Sequence, residues 1–309
     1  MRPAWSVLWF TTLIGCAQGL VVALASAALA GPVLPTALQR DLLGLAFVLG
    51  GVALGCSFLH LGRPRRAWRA AAMWRTSWLS REVIAVALFL AATLLGVLWL
   101  QLFHRWPWWL AGADVAIACA LWLCTGKVYA AIAFIREWAV ALTPLNFALI
   151  GLASGHLLGA ALLVLAGKRS AALLLARLGL LWTVLAWLSR AAALARLAGL
   201  QRAGSLRSAT GIATPALRQV SRGFTADSFN LHEFGMRPSP SLLGRLRRAY
   251  MTLGFALPAA ALAAVVADPR YAAMLVALVP LQFAALLGER WDFFAQVDHP
   301  QNHYYTAAQ

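Results

Sequence analysis

The chain has 309 residues, of which 62% are hydrophobic and only 12% charged, against roughly 25% charged in a soluble globular protein. The charges are lopsided, 26 Lys+Arg against 10 Asp+Glu, for a formal +16. These figures exclude a disordered chain and a soluble nucleic-acid binder, and 4 Cys are too sparse for a secreted disulfide scaffold. What remains is an integral membrane protein whose positive charge needs a location.

A helix needs about 20 apolar residues to cross the hydrocarbon core. Such runs occur at 8–30, 41–61, 82–103, 108–126, 140–166, 172–200, 249–267 and 271–288, with the fourth continuing helically toward Phe134. Lipid admits only helices or closed barrels, and continuous apolar runs of this length are helices rather than alternating strands. The expected fold is all-α: a polytopic bundle of eight transmembrane helices forming a single membrane-anchor domain over 1–309. The first run is read as a retained helix, because it is long for a signal peptide and has no convincing cleavage site. Trp68, Trp74, Trp78, Trp106, Trp108, Trp109 and Trp291 fall near the run ends, as an aromatic belt does.

With eight spans both termini share a side. That side carries the loops 62–81, 127–139 and 201–248, and 18 of the Lys+Arg residues; the opposite loops carry 5. By the positive-inside rule the termini face the cytoplasm. The 201–248 segment has too little apolar content for its own core, so it reads as a solvated connector or as a docking surface for soluble partners. No internal repeat is evident.

Cys16, Cys56, Cys119 and Cys124 fall inside spans without a C-x-x-C pair, so no iron–sulfur cluster is expected in this chain. His60 and His156 are the one pair that could ligate a haem axially. His60 ends the second span, however, and His156 lies about 24 Å from the same face at 1.5 Å per residue. A bis-histidine haem and any other resident metal are therefore not expected.

The most informative stretch is Cys56–Glu82, CSFLHLGRPRRAWRAAAMWRTSWLSRE. An apolar helix ends at His60, Gly-Arg-Pro breaks it, and an arginine-rich amphipathic stretch follows. The next helix opens with Ser80 as N-cap and Glu82 in its first turn. His60 and Glu82 could meet at one interface, where an imidazole titrating near neutrality and a carboxylate would serve proton-coupled chemistry on a quinone. The alternative is a belt histidine and a dipole-favouring acid. Thr125-Gly126-Lys127-Val128-Tyr129 brings a cation and a phenol to the same end, as quinone contacts or as snorkelling and belt residues. Gly288-Glu289-Arg290-Trp291, with His299-Pro300-Gln301-Asn302 beyond it, either caps that cleft or forms a terminal ion pair. Asp114 is the one acid well inside a span and a default functional candidate, nearer the opposite face.

His60-Leu-Gly-x-Pro with Arg66, then Leu79-Ser-x-Glu82, resembles the membrane-anchor subunit family of dimethyl sulfoxide reductase. The eight-helix count, Gly126-Lys-Val-Tyr129 and the Gly288-Glu-Arg ending are similar to that family too. The resemblance spans the whole sequence and is most specific over 56–82 and 121–136. It implies a three-subunit complex: a molybdopterin catalytic subunit, an iron–sulfur electron-transfer subunit, and this anchor without bound cofactor. It also implies a quinone, ubiquinone or menaquinone, as exchangeable substrate. On matching positions His60, Arg66 and Glu82 would serve the quinone step, with Lys127 and Tyr129 beside them. Arg63, Arg65, Arg69, Arg75, Arg81, Arg245, Arg247 and Arg248 would form a docking face for the partner subunits.

Two features depart from the dimethyl sulfoxide reductase pattern. The 201–248 segment is longer and more basic, and the face bearing His60 is the positive one. The anchor of the cytoplasm-facing sulfite:quinone oxidoreductase branch is more similar, through Pro3-Ala-x-Ser-Val, Thr11-Thr-Leu and Trp74-Arg-x-Ser-Trp-Leu-Ser-Arg-Glu82. The expectation is a multi-pass protein of the bacterial cytoplasmic membrane passing electrons from sulfite to quinone. An anchor that oxidises menaquinol is the related alternative, and an anion permease built on Asp114 and His156 the alternative of another class.

Overall fold

The computed structural model describes residues 3–30, 33–59, 61–200, 211–212, 214 and 238–297. Eight helical stretches are long and apolar enough to span a bilayer. They are α1 (Trp5–Ala30), α2 (Thr36–Phe58), α3 (Trp78–Phe103), α4 (Trp108–Ala130), α5 (Leu142–Leu165), α6 (Arg169–Ala198), and two composite spans. The seventh joins α7 (Pro240–Tyr250), a π-helical turn (Met251–Ala256) and α8 (Leu257–Ala267). The eighth joins a 3-10 turn (Pro269–Ala273) and α9 (Met274–Ala295). No strand occurs among the described residues.

The helix ends follow local chemistry. Pro35 and Pro107 immediately precede α2 and α4, since proline supplies a suitable φ and needs no hydrogen-bond acceptor there. α3 ends at His104 with φ 54°, the left-handed cap that commonly closes a helix. The N-cap of α3 is Ser77, whose hydroxyl accepts from the Ser80 backbone N–H. Ser80, the expected cap, is instead buried inside the helix, and Glu82 lies beyond the first turn. α4 ends at Ala130, short of Phe134.

The larger difference concerns the 201–248 segment. Pro240–Arg248 is helical and not loop, with Ser239 as N-cap and proline in the first turn. The run Arg245, Arg247, Arg248 masked this on a hydropathy reading. A helix tolerates such a run where the charges reach water or an acid, and here Arg247 reaches Asp292. The remainder of that segment lies outside the described residues.

α1 and α5 form the centre, with about two-thirds of their most apolar stretches buried. Gly15 and Gly19 of α1 face Gly151 and Gly155 of α5, and a Cβ at Gly19 or Gly155 would strike the opposing backbone. This is the small-xxx-small packing by which membrane helices gain close van der Waals contact. α2, α3 and α4 pack in sequence on one side of the pair, while α6, α8 and α9 cover the other. Several hydroxyls inside the spans return to their own helix, as Thr11 to Val7, Thr12 to Leu8 and Thr93 to Phe89, which spares those donors from going unpaired in hydrocarbon.

Pro258 imposes a further repair. Its missing N–H leaves the carbonyl four residues back, Gly254, without a helical donor. Gln282 Nε2 of α9 donates to that carbonyl at 3.1 Å. The π turn over Met251–Ala256 sits directly before this break.

Candidate functional site at the basic end of the bundle

The up–down order brings the ends of α2, α4, α6 and α9 to the same side as the starts of α1, α3, α5 and α7. Among the described residues this side carries the arginine-rich link between α2 and α3, of which Pro64–Ala71 is a 3-10 helix. Beneath that link lies a cleft of about 210 Å³. Val7 and Phe10 of α1 form its back, Leu54, Ser57 and Phe58 of α2 one side, and Leu79, Glu82, Val83 and Val86 of α3 the other. Ala67 and Ala70 roof it, and Val128 with Tyr129 of α4 closes the deep end. Phe58, Leu79 and Val83 are exposed on the bundle's outer surface, so the cleft opens between α2 and α3 toward the bilayer.

Positions 79, 82, 83 and 86 share one helical face, which is why α3 lines the cleft with a single stripe. Glu82 is the acid in that stripe and is 7% exposed. Its Oε1 accepts a hydrogen bond from Thr125 Oγ1 at 2.7 Å. Thr125 stands one turn before Tyr129 on α4, so the residue that orients the carboxyl and the phenol beside it share a face. Tyr129 stacks on Phe147 with ring centroids 5.6 Å apart and meets Trp138, Phe293 and Phe294 edge-on. Trp138 Nε1 in turn donates to the Phe293 carbonyl. Gly126 owes its place to packing, since a Cβ there would overlap Pro144 at the start of α5.

Of the residues singled out in the sequence, Glu82 and Tyr129 meet in this cleft. His60 lies outside the described residues, as do His299, Pro300, Gln301 and Asn302. Lys127 sits in the last turn of α4 and does not line the cleft. Arg66 is exposed on the 3-10 helix with Arg65 and Arg69, and Arg63, just before that helix, is exposed too. Arg75 is exposed beside Trp74, and Arg245 and Arg248 are exposed on α7. Arg81 is engaged: it donates to the carbonyls of Trp74 and Arg75 and lies 4.3 Å over the Trp78 ring.

Next to the cleft stands a buried ion network that composition alone did not single out. Arg190 of α6 pairs with Glu289 at 2.9 Å and Asp292 at 3.0 Å on α9. Asp292, fully buried, also accepts from Tyr250 Oη at 2.8 Å and pairs with Arg247 at 3.1 Å. Arg290 is 2% exposed, lies 3.9 Å over the Phe147 ring and faces Glu289 at 3.4 Å. Gly288–Trp291 is thus part of an interhelical clamp. The signal in the sequence was Arg190 within a span together with two acids near the end of another, the pairing expected of intramembrane charges.

At the opposite end Asp114 is fully buried and accepts from Trp106 Nε1 at 3.2 Å. His156 is fully buried at the middle of α5, with Nδ1 2.8 Å from the Leu152 carbonyl. Neither is near the cleft. Among the described residues no group of three or more His, Cys, Asp or Glu is placed to hold a metal ion, and all four cysteines are free.

Comparison with known proteins gives this geometry a context. The family model described as DMSO reductase anchor subunit (DmsC) matches residues 1–214. The C component of the sulfite dehydrogenase of Allochromatium vinosum is 37% identical, over 99% of this sequence and 99% of that protein. The C component of the anaerobic dimethyl sulfoxide reductase of Escherichia coli is 34% identical, over 53% of this sequence and 58% of its own. A permease finds no support in these relatives. The protein is an integral membrane protein and belongs to the DMSO reductase anchor-subunit family.

Proposed function

We infer that this protein is the quinone-reactive anchor of a sulfite dehydrogenase complex in the bacterial cytoplasmic membrane. The observation that carries the reading is a single carboxyl, Glu82, held by Thr125 in a largely apolar cleft that opens toward lipid. A quinone ring and its isoprenoid tail need such a space, with one polar group able to meet a ring oxygen. The whole-length similarity to a sulfite dehydrogenase component supports sulfite as the electron source. Sulfite and water yield sulfate, two electrons and two protons at a molybdopterin subunit. An iron–sulfur subunit passes the electrons to the membrane, and quinone takes up two electrons and two protons to become quinol.

In this scheme Glu82 gives and recovers a proton at one ring oxygen, Thr125 fixes the carboxyl through Oε1, and Tyr129 bounds the head of the ring. Arg66 on the link above and Lys127 at the end of α4 supply positive charge at the same end of the bundle, and His60 is assigned to the same step from its place in the sequence. The exposed arginines Arg63, Arg65, Arg69, Arg75, Arg245 and Arg248 meet acidic partner surfaces, which favours fast and oriented association. Arg81 and Arg247 support that face from within. The basic end, with both termini, faces the cytoplasm.

The test is Glu82→Gln in the assembled complex. Quinone-coupled turnover should fall by about 100-fold or more, while dye-linked sulfite oxidation by the partner subunits reports how much complex is present. Quinone coupling at the wild-type level would sink the assignment.

A further inference from the structure

A second enclosed space lies behind the cleft at the same end of the bundle. It measures about 20 Å³, room for about one water molecule, and is walled by α5, α6 and α9. Its polar lining includes Asn146, Arg190, Glu289, Arg290 and Gln296, the first four at least nine-tenths buried. Ion pairing satisfies Arg190 and sets Arg290 Nε 3.4 Å from Glu289 Oε2, yet Asn146 Oδ1 and Gln296 Oε1 accept no hydrogen bond from the protein. Each buried acceptor left unmade costs about 1–3 kcal/mol. Two of them, with the Glu289 carboxylate beside them, around one small polar chamber make the setting in which ordered water is found.

The chamber has an outer and an inner wall. Outward, Glu137, Arg196 and Leu197 connect it to the basic end. Inward, Arg290 lies over Phe147, and Phe147 stacks on Tyr129 of the cleft. One aromatic layer therefore separates the chamber from the deep end of the cleft.

We propose that this chamber is a hydrated proton port serving the cleft. Water held between Asn146 Oδ1 and Glu289 Oε2 exchanges protons with the solution at the basic end. Glu289 receives the proton, while Arg290 stays charged, as a guanidinium does, and holds the carboxylate in place. The last stretch is crossed when the Phe147 ring turns aside and water reaches the Tyr129 hydroxyl. Two protons enter for each quinone reduced by two electrons, and quinol oxidation runs the same route outward. The proposal rests on the quinone reading of the Glu82 cleft.

Two variants test it in the assembled complex. Asn146→Leu fills the chamber without removing a charge, and Glu289→Gln keeps the shape while removing the proton acceptor. Quinone-coupled turnover should drop about tenfold or more, with a larger solvent deuterium effect than wild type and unchanged affinity for a tight-binding quinone analogue. Wild-type turnover and isotope effect in both variants would overturn the port. Should Glu289→Gln fail to assemble, Asn146→Leu decides alone. Failure of the underlying reading shows separately, as undiminished quinone coupling in Glu82→Gln.

Discussion

Asp292→Ala is the sharpest test of what holds the basic end together. The carboxylate is fully buried and meets Arg190 at 3.0 Å, Tyr250 at 2.8 Å and Arg247 at 3.1 Å. Its loss has unequal consequences for the three. Arg247 is 29% exposed and can rehydrate, so its lost pair is worth little, about 0–1 kcal/mol. Tyr250 is 1% exposed and would keep a donor without a partner, at about 1–3 kcal/mol. Arg190 is 3% exposed but retains Glu289, which holds its share below the about 3–5 kcal/mol of a fully uncompensated buried charge. The first two losses alone come to about 1–4 kcal/mol, and the Arg190 share adds to that. Equilibrium unfolding in mixed micelles would measure it, and a cycle with Tyr250→Phe should show coupling of about 0.5–3 kcal/mol. A loss under about 1 kcal/mol with no coupling would refute the claim that Asp292 is the hub.

Two predictions concern architecture. Gly155→Leu thrusts a side chain into the α1 backbone at Gly19 and Leu20; overpacking against backbone costs about 3 kcal/mol or more, and the detergent-extracted variant should lose its monodisperse elution. A wild-type elution profile would show that the α1–α5 crossing is not a close one. For orientation, single cysteines at Arg75 and Arg270 lie at opposite ends of the bundle, both exposed. In a Cys-free background of intact cells an impermeant maleimide should label position 270 and not 75; the reverse would invert the assigned topology.

Much of the fold was legible because membrane spans announce themselves by long apolar runs, and each of the eight runs corresponds to a span. The errors gather where charges enter helices. α7 starts at Pro240 rather than near 249 because its arginines looked like loop, and only the distant Asp292 shows why Arg247 is acceptable there. Ser77 displaced Ser80 as cap because two serines three apart make the register ambiguous until backbone geometry fixes it. At the site, Glu82 and Tyr129 could be placed at one end from span order alone. Thr125, their link, sat unremarked in the same motif, since nothing in a single sequence says which face of α4 meets α3. The Arg190–Glu289–Asp292 network joins residues about 100 positions apart, and no local pattern reports such a pairing. The rule that intramembrane charges pair would have pointed to it.

The π turn at Met251–Ala256 also sets an angular phase within the seventh span. A π turn accommodates about one residue more than an α-helical turn, and one residue is about 100° of rotation. Leu262 and Val265 after the turn are therefore rotated, relative to Arg247 and Tyr250 before it, by about that angle from where an uninterrupted α-helix would put them. One part of the span aims its polar groups at Asp292 while the other keeps its apolar face against α6. The span works as two short helices in different rotational frames, joined where Gln282 clips the Gly254 carbonyl.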